Sequence, residues 1–206
     1  MSTLKIYGVA GSRAFRTIWM AKELGLAYEH VPVSFAGGAT RTPEYLAVNP
    51  NGHIPAIDDG GLKLCESMAI NLYLARKHGK LWPKTIEDEG RAFQWSFWVM
   101  LEVEKPLLAV LFNTVVYPAD KRDAAVAAKA LDELQKPFKV LDQALARSPW
   151  LAGSDFTVAD LNVAAVLTWV KLARVDLSAY PKLADWLGRC LGRPACTETQ
   201  KLQRAA

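Results

Sequence analysis

Hydrophobic and polar residues in the first 80 positions follow the period of a strand and then that of a helix. Leu4–Tyr7 alternates as a strand does, and Tyr28–Val33 predicts a second strand. Between them, Ala14–Leu24 carries its apolar residues on roughly one helical face, and Gly25 is a natural stop for that helix. This part of the chain is therefore predicted to be a β-α-β unit.

A hairpin and a second helix follow this unit. The stretch Asp58-Asp59-Gly60-Gly61 is a hairpin signal between two short apolar runs, residues 56–58 and 62–64. Apolar residues then form a broad stripe over Ser67–His78, which predicts a helix. The predicted order of elements is β-α-β followed by β-β-α.

Only helical periodicity continues after Gly79–Lys84, which looks like a linker. Four helices are predicted, over residues 87–113, 121–147, 157–171 and 181–191. Pro106 should bend the first helix, and Pro137 should interrupt the second. Thr157 and Asp160 have the spacing of a capping box at the start of the third. We therefore expect an α/β domain over residues 1–80 and an all-helical domain over residues 87–206.

Composition and charge argue against several classes of function. Hydrophobic residues make up 51% of the 206 residues, which suits a sizeable core, and the net charge is +4. That charge is too small and too mixed to indicate nucleic acid binding. The chain starts directly with a strand pattern, and no run of about 18 apolar residues follows. We therefore expect a cytoplasmic protein that binds neither nucleic acid nor membrane.

The cysteines and histidines give no sign of a metal site. Cys65, Cys190 and Cys196 have neither metal-ligand spacing nor a Cys-x-x-Cys pair, and the three histidines lie far apart. An odd number of cysteines in such a pattern is typical of buried or idle thiols in a reducing compartment. The sequence therefore predicts no metal.

Two short motifs carry the strongest functional signal. The first is Asn49–Pro55, in which Ile54 precedes Pro55; if that bond is cis, the Ile54 backbone groups can pair with an extended, peptide-like ligand. The second is Glu66-Ser67, which opens a helix whose N-terminus suits a ligand carboxylate. Each motif alone also fits a tight turn or an ordinary helix cap. Together they predict a small, acidic, peptide-like ligand.

These residues resemble the cytosolic glutathione transferases over the whole chain. The motifs that recur in family order are Tyr7, Ser12, Asn49-Pro50, Ile54-Pro55, Glu66-Ser67 and Ala69-Ile70. The resemblance implies a thioredoxin-like N-terminal domain followed by a C-terminal helical bundle, usually as a homodimer. It also implies a detoxification enzyme that conjugates glutathione, its co-substrate, to small electrophilic and largely apolar compounds.

The loop Gly11–Arg16 is similar to that of the serine-type, theta- and phi-like classes. In those classes a serine at the start of the first helix serves the glutathione thiol, which implies that Ser12 is the catalytic residue. A free thiol has a pKa of roughly 8.5, so only about 3% is thiolate at pH 7. The Ser12 hydroxyl would stabilise the thiolate by donating a hydrogen bond. Tyr7 is the alternative donor, because other classes use a tyrosine at the end of the first strand.

The resemblance also implies a set of binding residues. Ser67 would hold the γ-glutamyl carboxylate of glutathione, and Glu66 would face its ammonium group. Arg41 and His53 would lie near the glycyl carboxylate, although many relatives carry Gln or Lys where His53 stands. Ile54 would pair with the tripeptide through its backbone. Two aromatic residues are expected at the hydrophobic substrate site, namely Phe35 and Phe112.

Other functions on the same fold stay open at this point. A glutathione-dependent isomerase or peroxidase is one alternative, although Arg13-Ala14 does not match the loop of the isomerase-like relatives. A non-catalytic binding or scaffold module is another. Ser12 beside an intact Glu66-Ser67 favours an active transferase.

Overall fold

The computed structural model describes residues 3–204, whose contacts divide into two units. The first runs up to Trp82 and also includes the segment that begins at Gly192; the second is Pro83–Leu191. The predicted division gave all residues from 87 to 206 to the helical domain, so it differs from the structure at the C-terminal end. The predicted limits at residues 1 and 206 lie outside the described residues.

A four-stranded mixed sheet forms the centre of the first unit. Its strands are β1 (Leu4–Tyr7), β2 (Tyr28–Val31), β3 (Ala56–Asp59) and β4 (Leu62–Cys65). The order across the sheet is β2-β1-β3-β4, with β1 and β2 parallel and the other pairs antiparallel. This is the thioredoxin-like topology that the resemblance implied.

Among the described residues, four α-helices belong to the first unit. They are α1 (Ala14–Leu24), the short α2 (Pro43–Leu46), α3 (Ser67–His78) and α9 (Pro194–Arg204). The bounds of α1 and α3 are those that the sequence predicts. Gly25 ends α1 with φ at 70°, a left-handed conformation in which glycine has no side chain to clash.

Helix α1 is packed on several sides. Nine of its 11 residues are buried, because it contacts α3, β1 and also α9. The sequence pattern predicted no helix at Pro194–Arg204, so the contact between α1 and α9 was not predicted either. The segment after Gly192 therefore belongs to the first unit, because α9 packs on α1.

The second unit is all-helical over its described elements. These are α4 (Ile86–Trp98), α5 (Lys105–Leu111), α6 (Ala124–Arg147), α7 (Val158–Leu172) and α8 (Pro181–Leu191). Helix α7 is buried along almost its whole length, and Thr157 and Asp160 form the predicted capping box at its start. Within residues 3–204, no helix is long and apolar enough to cross a membrane.

The two prolines in the long helices act differently from one another. A π-helical segment, Val99–Glu104, separates α4 from α5 and ends just before Pro106. A wider helical turn there accommodates a proline, which lacks an N–H and crowds the preceding turn. Helix α6, by contrast, runs through Pro137 without a break, so the predicted interruption there is wrong. Strong helix formers on both sides of Pro137 keep α6 intact.

Candidate active site

One row of paired residues crosses the sheet at the edge where the predicted site residues emerge. Tyr7 at the end of β1 pairs with Val31 and with Ala56, and Ala56 pairs with Cys65. The loops after β1, before β3 and after β4 therefore leave the sheet at the same edge. Those loops carry Ser12, Ile54, Glu66 and Ser67.

The loop after β1 approaches the segment before β3 very closely. Gly8 has φ at 125°, and a Cβ on it would lie 2.8 Å from the Cβ of Ala14 and 3.0 Å from that of Ile54. Only glycine fits such a contact. His30 on β2 adds a hydrogen bond between its Nε2 and the Gly8 carbonyl, at 2.8 Å. The start of α1 and Ile54 are thereby held together.

Ser12 lies in this loop, two residues before α1 begins. Its hydroxyl donates to the Val9 carbonyl at 2.7 Å and accepts from the Ala14 N–H at 3.1 Å. The Val9 carbonyl also accepts from the Ser12 N–H, at 3.1 Å. Ser12 thus supports the helix start, and its oxygen lies at the positive end of α1. Tyr7, the alternative donor, is half-buried. Its ring lies edge-on to the ring of Tyr45, with 6.1 Å between the two ring centroids.

The Ile54–Pro55 bond is cis, and the residues before it form a tightly bonded loop. The His53 carbonyl accepts hydrogen bonds from Tyr45 Oη at 2.6 Å and from Asn49 Nδ2 at 2.7 Å. Burial raises the pKa of Tyr45 to about 12, so its phenol keeps the proton that it donates. Ile54 is buried, whereas the His53 side chain is exposed.

Asn49 holds this loop at two points and was missed as a functional residue. Its Oδ1 accepts from the Asn51 N–H at 3.1 Å, while its Nδ2 donates to the His53 carbonyl. Asn49 is only 1% exposed. An asparagine two residues before a turn is a known signal for such backbone bonding, so the sequence did contain this information.

Arg41 lies across the same loop. Its Nη1 donates to the Asn51 carbonyl at 3.3 Å. Gly52 passes underneath with φ at 62°, and a Cβ there would lie 2.6 Å from Arg41 Nη1. The structure therefore brings Arg41 to the Asn49–Pro55 loop, which also carries His53. The guanidinium is exposed, as a ligand-binding cation needs to be.

Glu66 and Ser67 form the start of α3. Glu66 has φ at 67° and ψ at 107°, which is unusual for a residue other than glycine, and it occupies the cap position. Such backbone strain is concentrated at functional sites. Ser67 is the first helical residue, so it is not the cap that the alternative interpretation expected. Its hydroxyl oxygen accepts from Arg16 Nη1 at 3.3 Å in a buried contact that the sequence analysis missed.

The two aromatic residues expected at the substrate site lie in different units. Phe35 is 67% exposed in the loop after β2. Phe112 is half-buried at the start of the π-helical segment that follows α5. The centroid of its ring is 5.1 Å from that of the Tyr117 ring. Their role in binding a substrate stays a prediction.

Within residues 3–204, no three or more His, Cys, Asp or Glu side chains are grouped so that they could hold a metal ion. Cys65 is half-buried, and Cys190 and Cys196 are buried; all three are free thiols.

Two family models match the chain. The glutathione S-transferase N-terminal domain matches residues 2–76, and the C-terminal domain matches residues 104–194. Glutathione S-transferase 3 of Zea mays is 36% identical over 97% of this chain and 94% of its own. The chain therefore belongs to the glutathione S-transferase family and is a glutathione transferase.

Two further proteins that resemble this chain differ in their activities. The structure of the theta class glutathione S-transferase from Xanthomonas axonopodis pv. citri, with glutathione bound, has a TM-score of 0.88 at 31% identity and covers 97% of both chains. The disulfide-bond oxidoreductase YfcG of Escherichia coli is 33% identical over 84% of this chain and 83% of its own. The predicted fold and transferase function are confirmed, with glutathione as the co-substrate.

Proposed function

We propose that this transferase is of the serine type, theta- or phi-like, and that Ser12 stabilises the glutathione thiolate. The observation that carries the proposal is the Ser12 hydroxyl at the positive end of α1, on the sheet edge that also carries Ile54 and Ser67. The hydroxyl is too weak a base to take the thiol proton. Its role is to donate a hydrogen bond to sulfur, while the proton leaves to water or to a ligand carboxylate.

The hydrogen bonds of Ser12 suit this task. When its proton turns from Val9 towards a thiolate, the Val9 carbonyl keeps the Ser12 N–H as a partner, so no acceptor is left unpaired. The bond from the Ala14 N–H polarises the hydroxyl and makes it a better donor. A fall of about two units in the thiol pKa needs about 2.7 kcal/mol, which a charge-assisted hydrogen bond and a helix dipole supply together.

The same edge would hold the rest of glutathione. The backbone of Ile54 would pair with the cysteinyl unit, and Ser67 with the first N–H groups of α3 would bind the γ-glutamyl carboxylate. Glu66 would face the ammonium group. Arg41 would bind the glycyl carboxylate with help from His53. Support comes from the contacts that link the loops of these residues to one another.

The second substrate is proposed to be a small, electrophilic and largely apolar compound. Phe35, which is exposed, and Phe112, which is half-buried, are the side chains that we expect to contact it, since aromatic surface binds such molecules. We also propose a cytoplasmic homodimer, as the resemblance implies. The free thiols of the three cysteines agree with a reducing compartment.

A thiolate titration tests the role of Ser12. The ultraviolet absorbance of bound glutathione would be followed against pH in the wild type, Ser12→Ala and Tyr7→Phe, together with turnover of chlorodinitrobenzene. We expect Ser12→Ala to raise the pKa of the bound thiol by one to two units and to lower turnover about tenfold or more. Ser148→Ala is the matched control, because that hydroxyl also bonds the main chain two residues on.

The outcomes separate the candidate functions. A raised thiol pKa in Tyr7→Phe and an unchanged one in Ser12→Ala would transfer the role to Tyr7. Glutathione binding with no turnover of several electrophiles, peroxides or disulfides would favour a non-catalytic module. Turnover of disulfides or peroxides alone would favour the alternative activity, for which the similarity to an oxidoreductase is the reason to test.

A further inference from the structure

A buried arginine lies directly behind the start of α3. Arg16 on α1 is only 1% exposed, and its Nη1 is 3.3 Å from the hydroxyl oxygen of Ser67, which is 4% exposed. A guanidinium is always charged and is seldom buried at this depth. Its contact with a hydroxyl at a helix N-terminus therefore bears on what that hydroxyl can bind.

The direction of this hydrogen bond determines what Ser67 can do. A guanidinium has five donors and no acceptor, so the Ser67 oxygen must be the acceptor in the contact with Arg16. The single proton of the Ser67 hydroxyl is then available to an acceptor elsewhere. The first N–H groups of α3 are also donors without helical partners. The Ser67 hydroxyl and the first N–H groups of α3 thus form a set of donors, which is the arrangement that a carboxylate needs.

The position of Arg16 is fixed by a second contact between the same two helices. Asn71 on α3 is fully buried, and its Nδ2 donates to the main-chain carbonyl of Arg16 at 3.3 Å. Helices α1 and α3 are packed against each other along this line. Packing of α1 against α3 therefore holds the Arg16 backbone opposite the start of α3, and a ligand does not have to order this arrangement.

We infer that Arg16 is a positioning residue that turns the Ser67 hydroxyl towards the γ-glutamyl carboxylate and strengthens its hydrogen bond. This inference rests on the proposed function, in which Ser67 binds that carboxylate. A hydroxyl that accepts a hydrogen bond from a cation becomes a stronger donor. Arg16 acts through Ser67 and does not itself touch the ligand.

The test is a cycle of binding measurements on two ligands. Calorimetry would give the Kd of glutathione and of 4-aminobutanoyl-cysteinylglycine, which is glutathione without its γ-glutamyl carboxylate. The variants are Arg16→Met, Arg16→Lys, Ser67→Ala and the double change Arg16→Met with Ser67→Ala. Arg76→Met is the control, because it removes an equal charge at the other end of α3.

The inference predicts a specific pattern. Arg16→Met should weaken glutathione binding about tenfold, and Arg16→Lys, which keeps the charge, about threefold. Both should change binding of the shortened ligand less than twofold. In the Ser67→Ala background, Arg16→Met should have no further effect on glutathione. Arg76→Met should leave both constants unchanged.

Other results would overturn the inference in distinguishable ways. Equal losses for both ligands, or an undiminished effect of Arg16→Met in the Ser67→Ala background, would show that Arg16 only maintains the fold. If Ser67→Ala itself weakened both ligands equally, the proposed carboxylate site would fail together with the inference. Urea unfolding would establish that each variant is folded; if Arg16→Met is not, Arg16→Lys decides by the same comparison of ligands.

Discussion

Two side chains converge on one main-chain carbonyl beside the active site. Tyr45 and Asn49 both donate to the His53 carbonyl, and Asn49 also accepts from the Asn51 N–H. None of these groups has to touch glutathione. Their role is to fix the backbone that precedes Ile54, and a fixed backbone does not have to be ordered when the ligand binds.

The two residues should differ in importance. Asn49→Ala removes both hydrogen bonds of this buried side chain, so we expect a loss of about 2–3 kcal/mol in the free energy of unfolding. Tyr45→Phe leaves the His53 carbonyl with Asn49 and should cost only about 1 kcal/mol. Urea unfolding measures both, and glutathione affinity should fall in the same order. Equal losses, or a larger one for Tyr45→Phe, would contradict this account of the loop.

Asn49 and Arg16 show where prediction from sequence stopped at the scale of residues. Asn49 lay in a recognised motif, and its local hydrogen bond to residue 51 could have been anticipated. Arg16 could not, because its partner Ser67 is 51 positions away and periodicity gives no distance between two helices. Helical spacing predicts which face of α1 is buried, and a charged residue is not expected on that face.

Helix ends are where local sequence and tertiary packing meet in this protein. The capping box of α7 was predicted, but its surroundings were not. The Asp160 carboxylate is fully buried and also accepts from the Leu151 N–H at 3.0 Å and from Trp186 Nε1 at 2.9 Å. The cap thus joins the start of α7 to the preceding loop and to α8. The capping motif of α7 therefore stabilises contacts between three parts of the second unit.

Removing that carboxylate should therefore cost far more than losing an ordinary cap. Asp160→Ala leaves several buried donors unpaired, and we expect a loss of at least about 3 kcal/mol in the free energy of unfolding. The control is Asp88→Ala at the start of α4, where Thr85 and Asp88 have the same spacing and the Asp88 carboxylate is partly exposed. That change should cost about 1 kcal/mol or less. Similar losses in urea unfolding of the two variants would refute the central role of Asp160.

At the scale of the whole molecule, the chain returns to its first unit after completing the second. Helix α9 lies on α1, and a partly buried ion pair fixes it there. Arg193 donates from Nε and Nη2 to the two carboxylate oxygens of Glu23, at 2.7 and 2.8 Å. Trp19 Nε1 donates to the same carboxylate at 3.0 Å. Helix α1, which contains Arg16 and follows the Ser12 loop, is thus stabilised by residues far along the chain.

The Glu23 contact should matter much more than a similar contact on the surface. Glu23→Gln breaks the bidentate pair and should cost about 2–3 kcal/mol of unfolding free energy, because the partly buried guanidinium of Arg193 loses a charged partner. Glu198→Gln removes the exposed pair with Lys22, which joins the same two helices, and should cost less than about 1 kcal/mol. Hydrogen exchange over α9 should rise only in Glu23→Gln. Unchanged exchange there would show that apolar packing alone holds α9.

The sequence by itself determined the local elements and the identity of the site motifs. Helices α1 and α3 have the predicted bounds, and the hairpin and the α7 cap lie where turn and capping residues indicate. These features depend on neighbours within a few positions, which a sequence pattern reports directly.

Only the tertiary structure decided which distant groups meet. It pairs Tyr7 with Ala56 and Ala56 with Cys65, so that loops from three parts of the chain share one sheet edge. It also sets Arg16 behind Ser67 and returns α9 to α1. Such contacts depend on how elements pack in three dimensions, and packing is a property of the whole fold that no local pattern contains.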